Sequence, residues 1–254
     1  MRKDVPTTSD ASRLAEPSVG RMFDRIAPTY DLLNHLLSLG RDSSWRRKTV
    51  RQLHAGQDLK VLDLATGTGD MLITLFRERP NVVEATGLDI SENMLATGRE
   101  KLRKRGLVDR ARLLCADASK MPLADGTFDA ATMAFGIRNT ADASATLHEI
   151  HRILKPGGTA LILEFSLPAG PVMRWFYLRY LRLVVPFVGA LVSRDRHAYR
   201  YLDESIEGFQ QPAEFCRLMQ EAGFHDVSAI PLTFGVASIY RGTRGPISAW
   251  FKTR

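Results

Sequence analysis

A Gly-x-Gly turn behind an apolar run constrains the fold of this chain more than any other feature. Residues 61–70 read VLDLATGTGD, and a second apolar run ends at Asp89, twenty positions after Gly69. Short apolar runs are typical of buried parallel strands, and glycines at the turn let bare backbone approach a ligand. A carboxylate at the end of the second strand can accept hydrogen bonds from both hydroxyls of a ribose. The pattern therefore predicts an adenosine-type ligand at the first turn of a doubly wound α/β fold.

Two features of the loop favour a positively charged ligand over a dinucleotide. The dinucleotide fingerprint has a third glycine three positions after the second one, and this chain has the bulky Leu72 there. Asp63 and Asp70 flank the loop, and their carboxylates would repel a pyrophosphate but attract an ammonium and a sulfonium. We therefore predict S-adenosylmethionine as the cofactor. A dinucleotide, and a glycine-rich turn that binds no ligand, are the alternatives.

Strands and helices alternate over residues 60–165, which is typical of a parallel sheet with crossover helices on both faces. The predicted strands are 60–65, 83–89, 111–116, 128–135 and 159–165, then an antiparallel edge hairpin of 227–231 and 236–241. The predicted helices are 18–39 with an interruption at Pro28, 45–53, 71–79, 92–106, 141–154 and 212–222. We expect Pro156-Gly157-Gly158 to stop the helix before the fifth strand. The result is a Rossmann-like, mostly parallel seven-stranded sheet.

The length of 254 residues fits one α/β domain with extensions. We predict a disordered polar tail at 1–17 and a single domain at 18–254, with an N-terminal helical cap at 18–56 and a helical insert at 166–211 over the substrate pocket. The first eight residues show no apolar core and no cleavage signal, and the two cysteines lie far apart. These observations favour a reducing cytoplasm as the location of the protein.

The insert combines apolar and basic residues. The chain has a net charge of +7, and residues 165–194 contain four arginines and no acid, which indicates an anionic partner such as a lipid surface or a nucleic acid. Residues 172–192 are apolar apart from Arg174, Arg179 and Arg182, each of which costs about 2.5–3.5 kcal/mol at a bilayer centre. This pattern argues against a spanning helix. It favours a helix at a lipid–water interface or a cover over a lipophilic pocket; a core helix or a dimer contact is the alternative.

In a doubly wound sheet, ligands bind beyond the carboxyl ends of the strands. The loops 66–70, 89–94, 116–119 and 134–139 should therefore lie together. We expect Asp117 to bond an adenine amino group and Ala118 to contribute backbone; a turn or capping role is the alternative for Asp117. The predicted cofactor-binding residues are Asp63, Thr66, Gly67, Thr68, Gly69, Asp89, Ile90, Asp117, Ala118 and Ala134.

From about Val19 to Arg241, the chain resembles the ubiquinone/menaquinone biosynthesis C-methyltransferases. The segments that carry the resemblance are FDRIAPTYD at 23–31, FGIRN at 135–139, RILKPGG at 152–158, EFS at 164–166, YRYL at 199–202 and ESI at 204–206, with Asn34, Ser38 and Trp45. The resemblance implies a class I fold that transfers a methyl group from S-adenosylmethionine to a ring carbon of a polyprenyl quinol. Its cofactor contacts correspond to Thr68, Asp89, Asp117 and Ala118. The chain departs from the family pattern at Leu33, Asp42 and Ala134, where members often have Met, His and a contacting Ser.

The chemistry requires a reduced ring, because a quinone is itself an electrophile. Ionising one hydroxyl would push electron density onto the attacking carbon, and a phenol has an ordinary pKa near 10. Arg138 and Asn139 end the fourth strand, and we expect Arg138 to stabilise a phenolate, since a guanidinium stays charged. An ion pair of Arg138 with Glu149 or Asp142 is the alternative.

A water held by Asn139, Tyr201 or His197 is the candidate general base. The predicted catalytic residues are Arg138, Asn139 and Tyr201. The predicted substrate-binding residues are Tyr30, Asn34, Phe135 and Tyr199. Tyr30, Asp31 and Asn34 suit a lid over the substrate, with helix packing and capping as the alternative.

The function that we predict is methylation of demethylmenaquinol to menaquinol. Methylation of a 2-polyprenyl-6-methoxy-1,4-benzoquinol, a nucleic-acid methyltransferase and a non-catalytic membrane-surface protein are the alternatives. Base-amino methylation usually needs an Asp/Asn-Pro-Pro-aromatic loop, and FGIRN stands there instead. We expect a quinol substrate, peripheral contact with the inner face of the membrane and no nucleic acid, and leave a homodimer open. His148 and His151 are three apart and do not match the zinc-protease pattern, so no metal is implied.

Overall fold

Seven strands form one mostly parallel sheet. The computed structural model describes residues 24, 30–55, 58–184, 205–206 and 208–245. The strands are β1 (Leu59–Leu64), β2 (Val82–Asp89), β3 (Ala111–Cys115), β4 (Phe128–Ala134), β5 (Leu154–Phe165), β6 (Phe224–Leu232) and β7 (Ala237–Arg244). Their order is β3-β2-β1-β4-β5-β7-β6, with β1 to β5 parallel and β7 antiparallel to both of its neighbours. The predicted doubly wound sheet with an antiparallel edge hairpin is confirmed.

Helices cover both faces of the sheet. Those in the described ranges are α1 (Tyr30–Leu37), α2 (Asp42–Val50), α3 (Asp70–Glu78), α4 (Glu92–Lys104), α5 (Ala143–Ile153), α6 (Pro171–Arg179) and α7 (Pro212–Glu221). Side chains alternate along a strand, so Val61 of β1 packs into one core layer and Leu62 into the other. Helices α1 to α4 and α6 contribute to the first layer, and α5 and α7 contribute to the second.

The predicted start of the fifth strand is wrong. Helix α5 ends at Ile153 and β5 begins at the next residue, so the Pro-Gly-Gly turn lies within the strand instead of before it. The pairing of β4 with β5 moves from Phe128–Leu154 to Ala130–Thr159, and the extra residues between these partners bulge out of the ladder. A bulge of this kind lets pairing continue on both sides of a turn. The edge strands β6 and β7 are also longer than predicted.

Hydrogen bonds between distant positions attach the N-terminal helices to other parts of the protein. Trp45 Nε1 donates to Thr233 Oγ1 at 2.9 Å, and the Tyr180 hydroxyl donates to the carbonyl of Leu36 at 2.5 Å. The predicted tail 1–17 and residues 185–204 of the insert lie outside the described residues, so the division into cap and insert stays a prediction. Within the described ranges, no helix has both the length and the apolar character needed to cross a bilayer.

Candidate active site

The loop after β1 contains several residues with left-handed backbone. Ala65, Gly67 and Gly69 have φ angles of 47°, 53° and 83°, a region that glycine adopts without strain. The Thr66 amide donates to the carbonyl of Leu88 at 3.0 Å and fixes the loop to the end of β2. The two glycines are therefore required by the turn itself.

Helix α4 crosses this loop at close range. A Cβ on Gly98 would lie 3.3 Å from the carbonyl carbon of Thr68 and 3.4 Å from the carbonyl oxygen of Gly67. A larger residue at 98 would push the helix away from the loop. A glycine inside a helix costs about 1 kcal/mol relative to alanine, so Gly98 within α4 is itself a signal in the sequence of a close approach.

The carboxylate of Asp89 is held by backbone at the end of β2. One oxygen accepts from the Gly67 amide at 2.8 Å and the other from the Ser91 amide at 2.9 Å. A carboxylate has about four lone-pair sites, so acceptor capacity remains for the two hydroxyls of a ribose. Burial raises the pKa of Asp89, while these amides oppose the rise. The adjacent Ile90 is half exposed, and its contact with a cofactor stays a prediction.

Asp63 lies deeper than its predicted role suggested. Its two oxygens accept from the hydroxyls of Thr66 at 2.6 Å and Thr132 at 2.7 Å, and the residue is 1% exposed. Burial raises its pKa to about 7, although both threonine hydroxyls lower it. The two hydrogen bonds hold the first loop against β4, and contact of Asp63 with a ligand stays a prediction.

We expect Asp63→Asn to change how stability depends on pH. The pKa of Asp63 is raised from 3.8 to about 7 in the folded protein, so only the folded state keeps this proton between about pH 4 and pH 7. The protonated Asp63 carboxyl therefore contributes fully to the free energy of unfolding at low pH. This contribution is about 4 kcal/mol for a three-unit shift, and it is lost as the pH rises to about 7. Urea unfolding of the wild type and the variant between about pH 4 and pH 8 measures this loss. A free-energy difference that stays constant over that range would contradict it.

A cleft opens between the first loop and the N-terminal helices. Its lining residues are Asp31, Arg46, Asp63, Ala65, Thr66, Thr68, Asp70, Met71 and Ala134. The lining contains three carboxylates and one cation. The predicted cofactor residues Asp63, Thr66, Thr68 and Ala134 are thus brought together, while Arg46 was not predicted.

A lysine that the sequence analysis missed links α1 to the loop. The Lys101 ammonium donates to Asp31 at 2.5 Å, to the Thr68 hydroxyl at 2.8 Å and to Asp70 at 2.8 Å. The Thr68 hydroxyl also donates to Asp31 at 2.7 Å. Because Lys101 pairs with Asp70, that carboxylate attracts a ligand cation less strongly than the sequence pattern suggested.

Asp117 and Ala118 follow β3, as predicted. One oxygen of Asp117 accepts from the Ser119 amide at 2.8 Å, which is the turn role given above as the alternative. Asp117 is half-buried and Ala118 is buried in the second core layer. The turn holds Asp117 at the edge of the sheet, so a second oxygen toward an adenine amino group is compatible with it and stays a prediction.

The Phe135 side chain belongs to the core of this structure, and its contact with substrate stays a prediction. Its ring is 1% exposed and lies 4.6 Å from the Phe165 ring and 6.4 Å from the Trp45 ring, measured between centroids. Its φ of 58° turns the chain at the end of β4, and a Cβ on Gly136 would lie 2.5 Å from the Ala65 Cβ. The FGIRN segment therefore packs directly against the glycine-rich loop after β1.

Arg138 forms an ion pair, but with Glu164 and not with Glu149 or Asp142. Its guanidinium donates to the Glu164 carboxylate and also to the Phe135 carbonyl at 3.1 Å. The side chains of Arg138 and Glu164 are 3% and 0% exposed. Burial raises the pKa of Glu164, while Arg138 lowers it. In this structure the Arg138 guanidinium therefore faces Glu164 and the Phe135 carbonyl, and its direct contact with a phenolate stays a prediction.

The remaining predicted residues are placed only in part. Asn139 Nδ2 donates to the Phe135 carbonyl at 3.1 Å. Asn34 is buried, and its Nδ2 has no hydrogen-bond partner among the described residues. Tyr30 begins α1. Tyr199, Tyr201 and His197 lie outside the described residues.

Comparison with known proteins gives the family. The model of the ubiE/COQ5 methyltransferase family matches residues 11–244. A demethylmenaquinone methyltransferase of Thermus thermophilus is 47% identical over 88% of this chain and 100% of its own length. A ubiquinone/menaquinone biosynthesis C-methyltransferase of Geobacter sulfurreducens is 44% identical over 88% of this chain and 87% of its own.

Solved structures agree on the fold. A SAM-dependent methyltransferase from Aquifex aeolicus superposes with a TM-score of 0.57 at 19% identity, covering 94% of this chain and all of its own. At that identity the likeness concerns the fold alone. The family model spans nearly the whole chain, and the relatives exceed 40% identity across most of it. The chain belongs to the ubiE/COQ5 methyltransferase family.

Proposed function

We propose that this protein methylates a ring carbon of a polyprenyl quinol with S-adenosylmethionine as donor, converting demethylmenaquinol to menaquinol. The observation that carries the proposal is the 47% identity to the Thermus demethylmenaquinone methyltransferase over that protein's full length. The name of the Geobacter relative covers both quinone branches. A methoxybenzoquinol acceptor is therefore the second candidate.

The residues around the cleft fit the proposed donor. Asp89 keeps acceptor capacity beside a glycine-rich turn, and the exposed Ile90 next to it can cover one face of a base. Three acids line the cleft and suit an ammonium and a sulfonium, although Lys101 pairs with two of them, Asp31 and Asp70. When bound there, S-adenosylmethionine would supply an activated methyl group, and the chain's own residues would position it.

Positioning is the main contribution that we assign to the protein. Well-oriented reactants gain effective molarities of about 10⁵–10⁸ M, whereas general-base help is worth about 10²–10⁴-fold. Arg138 and Asn139 both donate to the Phe135 carbonyl, so they hold the turn after β4 in one conformation. We propose that this turn orients the acceptor ring, and that a water held by Asn139, Tyr201 or His197 takes the phenolic proton.

A labelled-methyl assay tests the function. Purified protein with labelled S-adenosylmethionine should transfer the label to reduced demethylmenaquinol, more slowly to reduced methoxybenzoquinol, and not to tRNA or DNA. The oxidised quinones serve as matched controls and should accept nothing. Transfer to nucleic acid, or none to either quinol, would overturn the proposal.

We also propose that α6 contacts the inner face of the membrane. Val172, Trp175 and Phe176 are each more than half exposed, and Arg174 and Arg179 are exposed beside them. The Arg179 guanidinium lies 5.1 Å from the Trp175 ring centroid. Aromatic and basic residues together on one exposed helix suit an anionic lipid surface, where a polyprenyl substrate would reside.

We expect the double substitution Trp175→Ser and Phe176→Ser to weaken binding to anionic vesicles at least about tenfold, because it removes two large apolar side chains from the contact. Vesicle co-sedimentation measures the change. Val108→Ser is the control, since Val108 is also exposed but lies between α4 and β3. Unchanged vesicle binding would contradict the proposal, and a concentration-dependent mass lost in the double variant would indicate a second copy of the chain on this face instead.

A further inference from the structure

Arg46 is a buried cation in the cleft for which neither the sequence nor the family comparison gives a role. It lies on α2, its side chain is 7% exposed, and it lines the cleft together with Asp63, Thr66 and Asp70. A buried guanidinium carries a large desolvation cost unless its hydrogen-bonding groups are satisfied. Its presence at this position therefore needs a reason.

A chain of contacts orients the Arg46 side chain. One terminal nitrogen donates to Asp42 at 2.5 Å, and the Asp42 carboxylate in turn accepts from Ser38 Oγ at 3.3 Å and bonds His35 Nδ1 at 2.9 Å. The guanidinium carbon lies 5.5 Å from the Phe135 ring centroid. The side chain is thus held between an acid and a ring, while a guanidinium carries five N–H donors in a planar fork. Donors remain for a second acceptor.

The charges of the cleft match an amino-acid group. Among the lining residues, Asp31, Asp63 and Asp70 are acids and Arg46 is the cation, while Lys101, which is not part of the lining, pairs with Asp31 and Asp70. An α-amino acid carries an ammonium and a carboxylate on the same carbon. An acidic cleft without Arg46 would attract the ammonium but repel the carboxylate.

We propose that Arg46 binds the carboxylate of the methionine moiety of S-adenosylmethionine. This inference rests on the proposed function and names the group that this residue recognises. Asp42 and Phe135 preorganise the fork, and the planar guanidinium matches a carboxylate in two parallel hydrogen bonds. Arg46 thereby distinguishes donors with an intact amino-acid end from analogues without it.

Titration calorimetry with two probes tests this inference. The wild type should bind S-adenosylmethionine roughly 10- to 100-fold more tightly than its decarboxylated form, which lacks only the carboxylate. Arg46→Gln should remove that preference, weakening the intact donor by the same factor and changing affinity for the decarboxylated form less than about threefold. Arg46→Lys should keep part of it. Arg47→Gln is the matched control, because Arg47 is the exposed next residue of the same helix.

Loss of Arg46 leaves the buried Asp42 without its guanidinium partner, so Asp42→Asn with Arg46→Gln provides a neutral pair if the single variant unfolds. Circular dichroism checks that each protein is folded. Equal weakening of both probes by Arg46→Gln, or a wild type that binds both equally, would overturn the inference. If the wild type bound neither probe, the proposed function would fail instead.

Discussion

Replacing Asp89 with alanine is expected to weaken binding of S-adenosylmethionine at least about 100-fold. The ribose hydroxyls would lose two hydrogen bonds to the carboxylate, each worth about 1.5–3 kcal/mol when one partner is charged. A loss of about 2.8 kcal/mol corresponds to a 100-fold weaker affinity. Alanine also leaves the amides of Gly67 and Ser91 without the acceptor that holds the loop. Titration calorimetry on the purified variant measures the affinity.

A second ligand distinguishes the loss of the ribose hydrogen bonds from the disturbance of the loop that Asp89 holds. An S-adenosylhomocysteine that lacks both ribose hydroxyls makes no hydrogen bond to Asp89. It should therefore bind the wild type and Asp89→Ala with affinities within about tenfold of each other, because the two proteins then differ only in whether the loop amides have an acceptor. Asp89→Asn keeps one acceptor oxygen, so its affinity for S-adenosylmethionine should fall between those of the wild type and Asp89→Ala. Asp109→Ala removes an exposed acid before β3 and should change nothing. An undiminished affinity in Asp89→Ala would place the ribose elsewhere.

The sheet and the position of the glycine-rich loop after β1 could be predicted because both depend on local patterns. Apolar runs ending in turns identify parallel strands, and the spacing from Gly69 to Asp89 follows from the geometry of one β-α-β unit. The predicted start of β5 was wrong because a turn sequence normally ends a helix or strand. Here the Pro-Gly-Gly turn bulges from a strand that pairs with β4 on both sides of the turn. Pairing with a distant neighbour is not visible in the local pattern.

The partners of the charged groups could be predicted only in part, because they come from distant positions. Lys101 reaches Asp31, seventy positions away, and Arg138 reaches Glu164 on the adjacent strand. Glu164 did carry a signal: it is an acid within an otherwise apolar strand, and such a group needs a buried partner. The signal says that a partner exists but not which one. For that reason Glu149 and Asp142 stood as the alternatives for Arg138.

Because the Arg138–Glu164 ion pair is buried, substitution of Arg138 alone affects both stability and activity. Removing one partner of a buried pair leaves an uncompensated charge and costs about 3–5 kcal/mol, whereas replacing both partners by neutral groups is often tolerated. A loss of activity in Arg138→Ala alone would therefore mix unfolding with chemistry. A variant that removes both charges separates the two effects, because it keeps the core neutral.

We expect Arg138→Ala to lower the free energy of unfolding by about 3–5 kcal/mol and to slow methyl transfer, with donor affinity changed less than about threefold at temperatures where it stays folded. Burial already raises the pKa of Glu164, so without Arg138 that carboxyl stabilises the fold only while protonated. The stability deficit should therefore grow as the pH rises through the folded pKa of Glu164.

A double variant, Arg138→Met with Glu164→Gln, should regain most of the stability. Its glutamine keeps an oxygen that can accept from the Phe165 amide, which lies 2.8 Å from the Glu164 carboxylate in the native pair. Urea unfolding and single-turnover kinetics measure both quantities. If the double variant stays about 10- to 100-fold slow after its stability returns, Arg138 orients or polarises the acceptor; if the rate returns as well, the pair serves the fold alone and the catalytic role is lost.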